Sequence, residues 1–445
     1  MRRVLSADWV LPVDGPPIAD GAVVIDGERI EAVGPLAQFG PADERYPGAA
    51  IVPGFVNAHS HLEYAVYAGF GDGLADFSEW ITLHVERKHR IAWDEHVDIA
   101  RLGAAQCLAS GITTVGDCSY SGAGAVACDD LGLRAIVFLE VFGVDPGKAL
   151  DRFERSRERA ADSFSERVRL GVSPHAPYST SLSVYRACVD LGLPLATHLS
   201  EGPSEVEYLI SGGGPWAPYE HLLVASPGTT GTRMLAQAGL LSNRVLAAHC
   251  TVVEDDEIEL LADAGTGVAH CPRSNAALGC GIAPLARLRS AGVNVGLGTD
   301  SPASAPSFDF FDELRSALLS ARARAQRADA LGAAEVLALG TLGSAQALSL
   351  EAEVGSLTPG KRADLAVISL EGSQYLPWED PAAAVVFGGS PDRVVKTLVD
   401  GEVRYERNDF AWHELHRNAV NARSRMLQQE RPTRGDDRLR KPAHR

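Results

Sequence analysis

No stretch of this sequence stays apolar for long enough to cross a membrane, and its cysteines follow no pattern. A transmembrane helix needs about 20 consecutive apolar residues, and no run in the 445-residue chain comes close. Met1-Arg2-Arg3 has the charge of a signal peptide, but Asp8 and Asp14 interrupt the apolar stretch behind it. The seven cysteines include no CxxC pair, which favours free thiols. We therefore expect a cytoplasmic protein without a membrane partner.

The chain also has fewer basic than acidic residues. Lysine and arginine number 41 against 58 aspartates and glutamates, which gives a formal net charge of -17. Nonspecific nucleic-acid binding needs a basic surface, so we expect no nucleic-acid partner and a small molecule as substrate. Hydrophobic residues make up 45% and charged residues 22% of the chain, which is typical of a globular protein with a large core. A homodimer is one option for the assembly, which the sequence does not decide.

Eight short apolar segments alternate with helical patterns through the middle of the chain. They show little strict alternation of apolar and polar residues, as is typical of parallel strands buried on both faces. The segments cover residues 51–61, 113–117, 135–141, 170–175, 194–199, 245–250, 267–272 and 293–300. An open doubly wound sheet would carry a glycine-rich phosphate loop after its first strand, and His-Ser-His-Leu-Glu stands there instead. The pattern thus predicts an α/β fold with a (β/α)8 TIM barrel.

Both ends of the chain have the pattern of β structure. Asp26-Gly27 and Asp400-Gly401 are typical hairpin turns between short strand patterns. We interpret residues 1–50 and 355–410 as two parts of one small β-sandwich domain beside a barrel of residues 51–354. Residues 411–445 form a C-terminal helix and tail, and the Arg-rich part from Asn421 onward is expected to be mobile.

Metal-binding residue types stand where the predicted barrel strands end, which is where the active sites of such barrels lie. His59 and His61 are two residues apart, so on a strand their imidazoles point the same way. His198 ends the fifth strand, and Asp300 ends the eighth. Imidazole and carboxylate are common zinc ligands. Singly, each residue also fits a core histidine or a helix-capping aspartate, but together they predict a metal site.

Other polar residues end neighbouring strands. His249 ends the sixth strand, and Glu201 lies in the turn beyond His198, where it can reach a substrate without binding the metal. His175 ends the fourth strand and is predicted to contact the substrate. Three histidines of one helical stretch are expected at the surface instead; these are His84, His89 and His96.

The ordered motifs of these strand ends resemble those of the amidohydrolase superfamily. They read PGFVNAHSHLE, THLSE, AAHC, AHCPRSN and GTDS, and GSLTPGKRADLAVI closes the β domain. The chain is most similar to the cytosine-deaminase-like and chlorohydrolase-like branch, and within it to deaminases of S-adenosylhomocysteine, 5′-methylthioadenosine or aminofutalosine. The resemblance implies hydrolytic deamination of a purine nucleoside-like compound with release of ammonia. A triazine chlorohydrolase or aminohydrolase, or a cyclic amidase, is the alternative on the same site.

The resemblance also implies a role for each residue. One divalent metal is expected, zinc in the first place and iron as the alternative. Its implied ligands are His59, His61, His198 and Asp300. Asp300 also accepts a proton from water, Glu201 passes a proton to the ring nitrogen, and His249 contacts the attacking water. No lysine ends the fourth strand, so the carboxylated lysine that bridges two metals in other members is missing and the site is expected to be mononuclear.

Substrate recognition departs from the resemblance at one point. Trp80 matches a tryptophan of the adenosine-type deaminases, but the glutamate that binds the ribose hydroxyls in those enzymes has no clean match, Glu86 being merely nearby. We hypothesise an adenine nucleoside with an anionic 5′ extension, covered by Trp80 and contacted by His175. The run Arg87-Lys88-His89-Arg90 is then either a solvated basic face or the source of an arginine that pairs with a substrate carboxylate.

Overall fold

The strands of the protein form two sheets. The structure, a computed structural model, describes residues 2–74 and 76–428. The strands are β1 (Arg2–Val10), β2 (Ile18–Asp26), β3 (Arg29–Pro35), β4 (Glu44–Pro53), β5 (Phe55–Ser60), β6 (Ile112–Ser119), β7 (Arg134–Val141), β8 (Val168–Pro174), β9 (Leu195–Leu199), β10 (Val245–His249), β11 (Gly267–His270), β12 (Val295–Leu297), β13 (Leu365–Ser369), β14 (Val394–Val399) and β15 (Glu402–Glu406).

Helices connect most of the strands. They are α1 (Phe77–Lys88), α2 (Trp93–Ala109), α3 (Ala123–Leu131), α4 (Pro146–Arg159), α5 (Leu182–Asp190), α6 (Pro203–Ser211), α7 (Gly231–Gln237), α8 (Asp255–Asp263), α9 (Pro272–Ala277), α10 (Leu285–Ser290), α11 (Phe310–Ala325), α12 (Ala333–Ala338), α13 (Ser344–Ala347), α14 (Pro381–Gly388) and α15 (Trp412–Gln428). Within the described ranges, no helix has the length and hydropathy needed to cross a bilayer.

Strands β5 to β12 form the barrel. They are hydrogen-bonded in chain order as an eight-stranded parallel sheet. The amide of Asp300 donates to the carbonyl of His59 (3.0 Å) where the last strand returns to the first. Apolar side chains such as Phe138 and Leu246 pack together in one interior cluster. The predicted TIM barrel is therefore confirmed, and its open face lies at the carboxyl ends of the strands, as in other barrels of this type.

The first predicted barrel strand is in fact two strands. Residues up to Pro53 belong to β4, which pairs with β1 and β13 in the other sheet, and β5 enters the barrel after Gly54. A Cβ atom at position 54 would lie 2.1 Å from the Thr113 hydroxyl oxygen, so only glycine fits where the chain passes between the sheets. Both strands are buried, so hydrophobicity continues across residues 51–61 and does not mark this boundary.

The seven strands from the chain ends form one mixed sheet, in the order β15-β14-β13-β4-β1-β2-β3. Both predicted hairpin turns are present, with left-handed φ values of 58° at Gly27, 52° at Asp400 and 73° at Gly401. A core that draws on both halves of the sheet includes Leu5 from β1 and Leu365 from β13. The expected β domain built from both chain ends is confirmed, as a single mixed sheet.

Helix α15 ends the described part of the chain and packs on α2. Its buried stripe consists of Ala419, Ala422 and Met426. The prediction of a mobile tail from Asn421 is wrong up to Gln428, because this apolar stripe holds the helix against the barrel. The remainder of the predicted tail lies outside the described residues.

Two of the three histidines expected at the surface are buried. His84 is 4% exposed and His96 is 3% exposed, whereas His89 is exposed. The surrounding sequence is polar, but α1 places His84 and Lys88 one turn apart, so both face the same buried side. The polar composition of this stretch does not indicate which side of α1 packs against the barrel.

A buried ion cluster joins the chain-end sheet to the barrel. The guanidinium of Arg134, at the start of β7, donates to both carboxylate oxygens of Asp364 (2.8 and 3.2 Å) and also to Asp400. Arg134 is 3% exposed and Asp364 is 4% exposed. Removing Arg134 would leave the buried carboxylate of Asp364 without a compensating charge.

We predict that Arg134→Met lowers the free energy of unfolding by about 3–5 kcal/mol, because the buried carboxylate of Asp364 loses its guanidinium partner. Arg101→Met is the control: it breaks an ion pair with Asp130 (2.7 Å) that is partly solvated and should cost less than about 1 kcal/mol. Urea unfolding followed by circular dichroism measures both. Equal midpoints for the two variants would contradict a structural role of the cluster.

Candidate active site

The candidate catalytic residues stand on strand ends where the backbone bends. Ser200, His249 and Asp300 have φ values of 50°, 73° and 55°, in the left-handed region that costs a non-glycine residue about 1–3 kcal/mol. A register shift in the pairing of β5 with β6 spans His59. Shifts and bends of this kind re-aim side chains relative to the simple alternation of a strand. Here they accompany side chains that converge at the barrel mouth.

The four predicted metal ligands lie together at this point. Nε2 of His61 is 3.2 Å from Nε2 of His198. Oδ1 of Asp300 is 3.7 Å from Nε2 of His59 and 3.5 Å from Nε2 of His61. All four side chains are buried. The structure thus brings together residues from three separate strand ends that the sequence proposes as one site.

This donor set fits a divalent cation. Burial and the neighbouring histidines lower the pKa of His59 and His61, so both imidazoles are neutral and can offer a lone pair. Nε2 of His59 has no hydrogen-bond partner among the described residues. Nε2 of His198, whose proton is on Nδ1, offers a lone pair toward Nε2 of His61. A cation in contact with these nitrogens and the Asp300 carboxylate would satisfy all of them, as imidazole and carboxylate ligands do in zinc sites.

Neighbouring groups orient the side chains of this donor set. Ser274 and Ser304 donate to Oδ2 of Asp300 (2.7 and 2.6 Å), which leaves Oδ1 toward the histidines. Nδ1 of His198 donates to the backbone carbonyl of His175 (2.9 Å), so its Nε2 faces the centre. Such outer hydrogen bonds fix the tautomer and the ring orientation of a ligating histidine.

Glu201 and His249 face each other beside the ligands. Oε2 of Glu201 is 3.7 Å from Nε2 of His249, and Nδ1 of His249 is 2.9 Å from Oδ1 of Asn275. Burial raises the pKa of Glu201, and the charges of Asp300 and Glu205 raise it further. A carboxylic acid kept protonated in this way can donate a proton to a bound molecule.

A cavity of about 490 Å³ opens on these side chains, which is a size typical of small-molecule sites. His61, His198, Glu201 and Asp300 form part of its wall. Much of the remaining wall is aromatic: Tyr64, Phe77, Trp80, Tyr120, Phe142, Tyr178, Trp216 and Tyr219. The cavity therefore suits a flat, partly apolar ligand.

One part of the wall is cationic. Nζ of Lys88 lies 4.4 Å from the ring centroid of Tyr120 and 4.8 Å from that of Phe142, and Arg152 lies over the Tyr120 ring at 4.3 Å. Burial lowers the pKa of Lys88 and raises that of Glu140, and each charge partly offsets the shift of the other. In the described ranges, no residue forms a hydrogen bond or ion pair with the Lys88 ammonium, so it can meet an anionic ligand.

Both predicted substrate contacts line the cavity. The indole N–H of Trp80 donates to the carbonyl of Ala303 (3.1 Å), and its ring stacks on His84 with the centroids 5.1 Å apart. Trp80 can therefore offer an apolar surface but no hydrogen bond. Nδ1 of His175 is 2.7 Å from Oγ of Ser179, which leaves Nε2 for a ligand.

The basic run at the end of α1 faces the cavity through a different residue than expected. Lys88 and His89 line the wall, but Arg87 and Arg90 do not. Arg87 instead lies over the Phe70 ring at 4.7 Å. The permanent cation that this run contributes to the cavity wall is thus a lysine, because the helix turns that position, and not the adjacent arginines, toward the barrel.

Comparison with known proteins identifies the family of this chain. The sequence model of the amidohydrolase family matches residues 50–404. The chain belongs to the amidohydrolase family. A relative from Symbiobacterium thermophilum, named 5-methylthioadenosine/S-adenosylhomocysteine deaminase, is 34% identical over 91% of this chain and 94% of its own. The amidohydrolase is thus a hydrolase of carbon–nitrogen bonds, and it belongs with deaminases.

Solved structures show the same architecture. An adenosine deaminase from Xanthomonas campestris with bound zinc has a TM-score of 0.86 and 27% identity, covering 96% of this chain and 98% of that one. A zinc complex of atrazine chlorohydrolase from Arthrobacter aurescens has a TM-score of 0.81 and 26% identity, covering 95% of this chain and 99% of that one. These neighbours support a divalent metal in the amidohydrolase.

Several residues of the site were missed from the sequence. Ser274 and Asn275 lie in the motif AHCPRSN, which carried the resemblance without any role for them. Glu140 is the single charged residue in the apolar segment 135–141, and its position at a strand end was the available signal. Arg152 gave no signal, since it is one of several arginines on α4.

We predict that the purified amidohydrolase holds one divalent metal per chain and that His61→Ala loses metal and activity together, because the remaining donors no longer enclose the cation. His413→Ala, at an exposed position of α15, is the matched control and should keep both. Elemental analysis with an ammonia-release assay measures the outcome. Two metal equivalents in active protein, or full metal retention in His61→Ala, would overturn the ligand set.

Proposed function

We propose that the amidohydrolase removes the amino group from the purine ring of an adenine nucleoside whose 5′ side carries a carboxylate. The observation that carries this proposal is the pairing, in one cavity, of side chains able to hold a metal and a buried carboxyl group with a cationic aromatic wall. The deaminase relatives support the reaction class, and Lys88 supports the anionic extension.

Zinc is the metal we propose, held by His59, His61, His198 and Asp300, because imidazole and carboxylate ligands suit it and the solved neighbours contain it. Such a metal lowers the pKa of a bound water toward about 7, which makes a nucleophile available at neutral pH. Iron is the alternative for the same donors.

The side chains then divide the proton transfers between them. Asp300 accepts the proton that water gives up as its oxygen bonds to the ring carbon. Glu201, held protonated by its burial, donates to the ring nitrogen next to that carbon. His249, with its ring orientation fixed by Asn275, contacts the attacking water. The proton held by Asp300 then passes to the amino group, and the proton of the added hydroxyl returns to Glu201 as the carbonyl forms. The carbon–nitrogen bond breaks, and ammonia leaves.

Lys88 is proposed to pair with the substrate carboxylate, and Arg152 to support it through the shared aromatic rings. The guanidinium of Arg152 donates to the backbone carbonyls of Tyr120 (2.7 Å) and Glu140 (3.1 Å). Arg152 is therefore less able than Lys88 to turn toward a ligand. Aminofutalosine carries a benzoate and S-adenosylhomocysteine an amino-acid carboxylate, so both meet this requirement. Methylthioadenosine and adenosine do not.

The proposed setting is a reducing cytoplasm, with a small-molecule substrate and either a monomer or a homodimer as the assembly. All seven cysteines lie in the described ranges and are free, buried thiols. Burial raises the pKa of several of them, Cys118 and Cys271 included, so they are packing residues of low reactivity.

We predict that Glu201→Gln keeps its metal but loses at least about 10²-fold in kcat, the usual scale of acid–base catalysis. Glutamine keeps the shape and the hydrogen bonding of the side chain but has no acidic proton to donate. Metal content and steady-state ammonia release are measured on the same sample. Loss of the metal in this variant would make Glu201 a ligand and refute its role as the acid.

We predict that Lys88→Met lowers kcat/KM for carboxylate-bearing nucleosides about 10-fold or more, the cost of a lost charged partner, relative to the change for adenosine and methylthioadenosine. Arg155→Gln, exposed on α4, removes one charge away from the cavity as a control. In the unsubstituted enzyme, the preference should fade as pH rises through the pKa of Lys88, which burial lowers to about 8, because the neutral amine no longer pairs with a carboxylate.

A panel of aminofutalosine, S-adenosylhomocysteine, methylthioadenosine and adenosine tests the substrate class. If adenosine is the best of the four, the anionic extension is refuted. If none releases ammonia, the nucleoside assignment fails and triazines are the next substrates, given the structural likeness to a chlorohydrolase.

A further inference from the structure

We propose that Glu140 is the receptor for the vicinal hydroxyls of the substrate's sugar and thereby selects ribonucleosides over deoxyribonucleosides. The inference rests on the proposed function, since it takes the substrate to be a nucleoside. It adds a specificity-determining residue that lies outside the metal ligands and the proton-transfer groups.

Glu140 is a buried carboxylate without a protein partner. It is 2% exposed, is the next-to-last residue of β7 and lines the cavity. Its backbone carbonyl accepts a hydrogen bond from Nε of Arg152 (3.1 Å), which fixes the main chain. Among the described residues, no donor forms a hydrogen bond with its side chain. Buried carboxylates need donors, and here the cavity is the side from which they can come.

Charge compensation does not supply these donors. Lys88 and Arg152 act on Glu140 through their charge, but neither side chain forms an ion pair with it in the described part of the chain. The Lys88 ammonium lies instead over the rings of Tyr120 and Phe142. The two cations make a charged carboxylate tolerable at this place while leaving both of its oxygens open to a ligand.

A second metal is a poor occupant for the same group. The side-chain donors of Glu140, His175 and His198 lie within 4.8 Å of one another, which is close enough for a shared ion. However, His198 donates through Nδ1 to the carbonyl of His175, and its Nε2 belongs to the site of His61 and Asp300. Only Glu140 and His175 remain, and two ligands are fewer than a protein metal site commonly offers.

The chemistry of a nucleoside points to its sugar. Its donors are the amino group that leaves at the reacting end and the hydroxyls of the ribose. A carboxylate has two oxygens and accepts one hydroxyl on each, which matches a vicinal pair. A ring nitrogen of His175 lies within 4.8 Å of a carboxylate oxygen of Glu140, so His175 can contact the same part of the ligand. Glu140 thus lies between the metal ligand His198 and the cationic wall, where a sugar would link base and extension.

The test compares kcat/KM for the best nucleoside of the panel with that for its 2′-deoxy and 3′-deoxy analogues. For the unsubstituted enzyme, each missing hydroxyl should cost roughly 10-fold or more, because an oxygen of a buried carboxylate is left unpaired. Glu140→Gln should lose activity toward the ribonucleoside but little toward the deoxy analogues, so that the ratio falls toward one. Glu158→Gln, exposed on α4, should keep the original ratio.

The outcomes separate this inference from the proposed function. If the unsubstituted enzyme releases ammonia from no nucleoside, both fall. If it does so but Glu140→Gln keeps the ratio of the unsubstituted enzyme, the role of Glu140 alone is refuted.

Metal analysis of the same samples is the second readout: one equivalent in both supports the inference, whereas two equivalents in the unsubstituted enzyme, or metal loss in Glu140→Gln, overturns it. Glu140→Asp, which keeps a carboxylate, should restore part of the discrimination, and failure to do so counts against the proposal.

Discussion

The candidate site depends on one constraint, which is the convergence of four buried polar side chains at the barrel mouth. These are His59, His61, His198 and Asp300. A buried imidazole nitrogen without a hydrogen-bond partner, such as Nε2 of His59, is unfavourable, and a cation bound to these side chains would satisfy it. The bent backbone at Asp300 and the register shift at His59 accompany this arrangement. Strain of this kind persists only where the surrounding structure fixes it, and the closed barrel provides that support.

From this centre the cavity changes in electrostatic character along its wall. Glu201 is held neutral beside the ligands, and Lys88 and Arg152 place positive charge elsewhere on the same wall. Glu140 is the acidic group between them whose side chain accepts no hydrogen bond from the part of the chain that the structure describes. A ligand with a polar reacting end, hydroxyls and an anionic end would match these three environments in one orientation, and the aromatic wall would contact it throughout.

The sequence predicted the barrel well because strands buried on both faces, each followed by a helix, leave few other folds. His59, His61, His198 and Asp300 were accessible as candidates because they end such strands. What the sequence could not show was the rotation of α1: a polar stretch looks alike whether His84 and Lys88 face solvent or barrel. It also could not place the passage at Gly54, since two buried strands in different sheets give one continuous apolar run.

The chain-end sheet has a consequence for how the polypeptide is assembled. Strand β4 receives its antiparallel neighbour β13 only after the whole barrel has been synthesised, and Arg134 meets Asp364 and Asp400 at the same late stage. A growing chain therefore exposes one hydrogen-bonding edge of β4, flanked by apolar residues, for most of translation. Such edges are liable to pair with other chains. Pairing with β13 covers this edge of β4. In a chain truncated before β13, the edge would stay exposed.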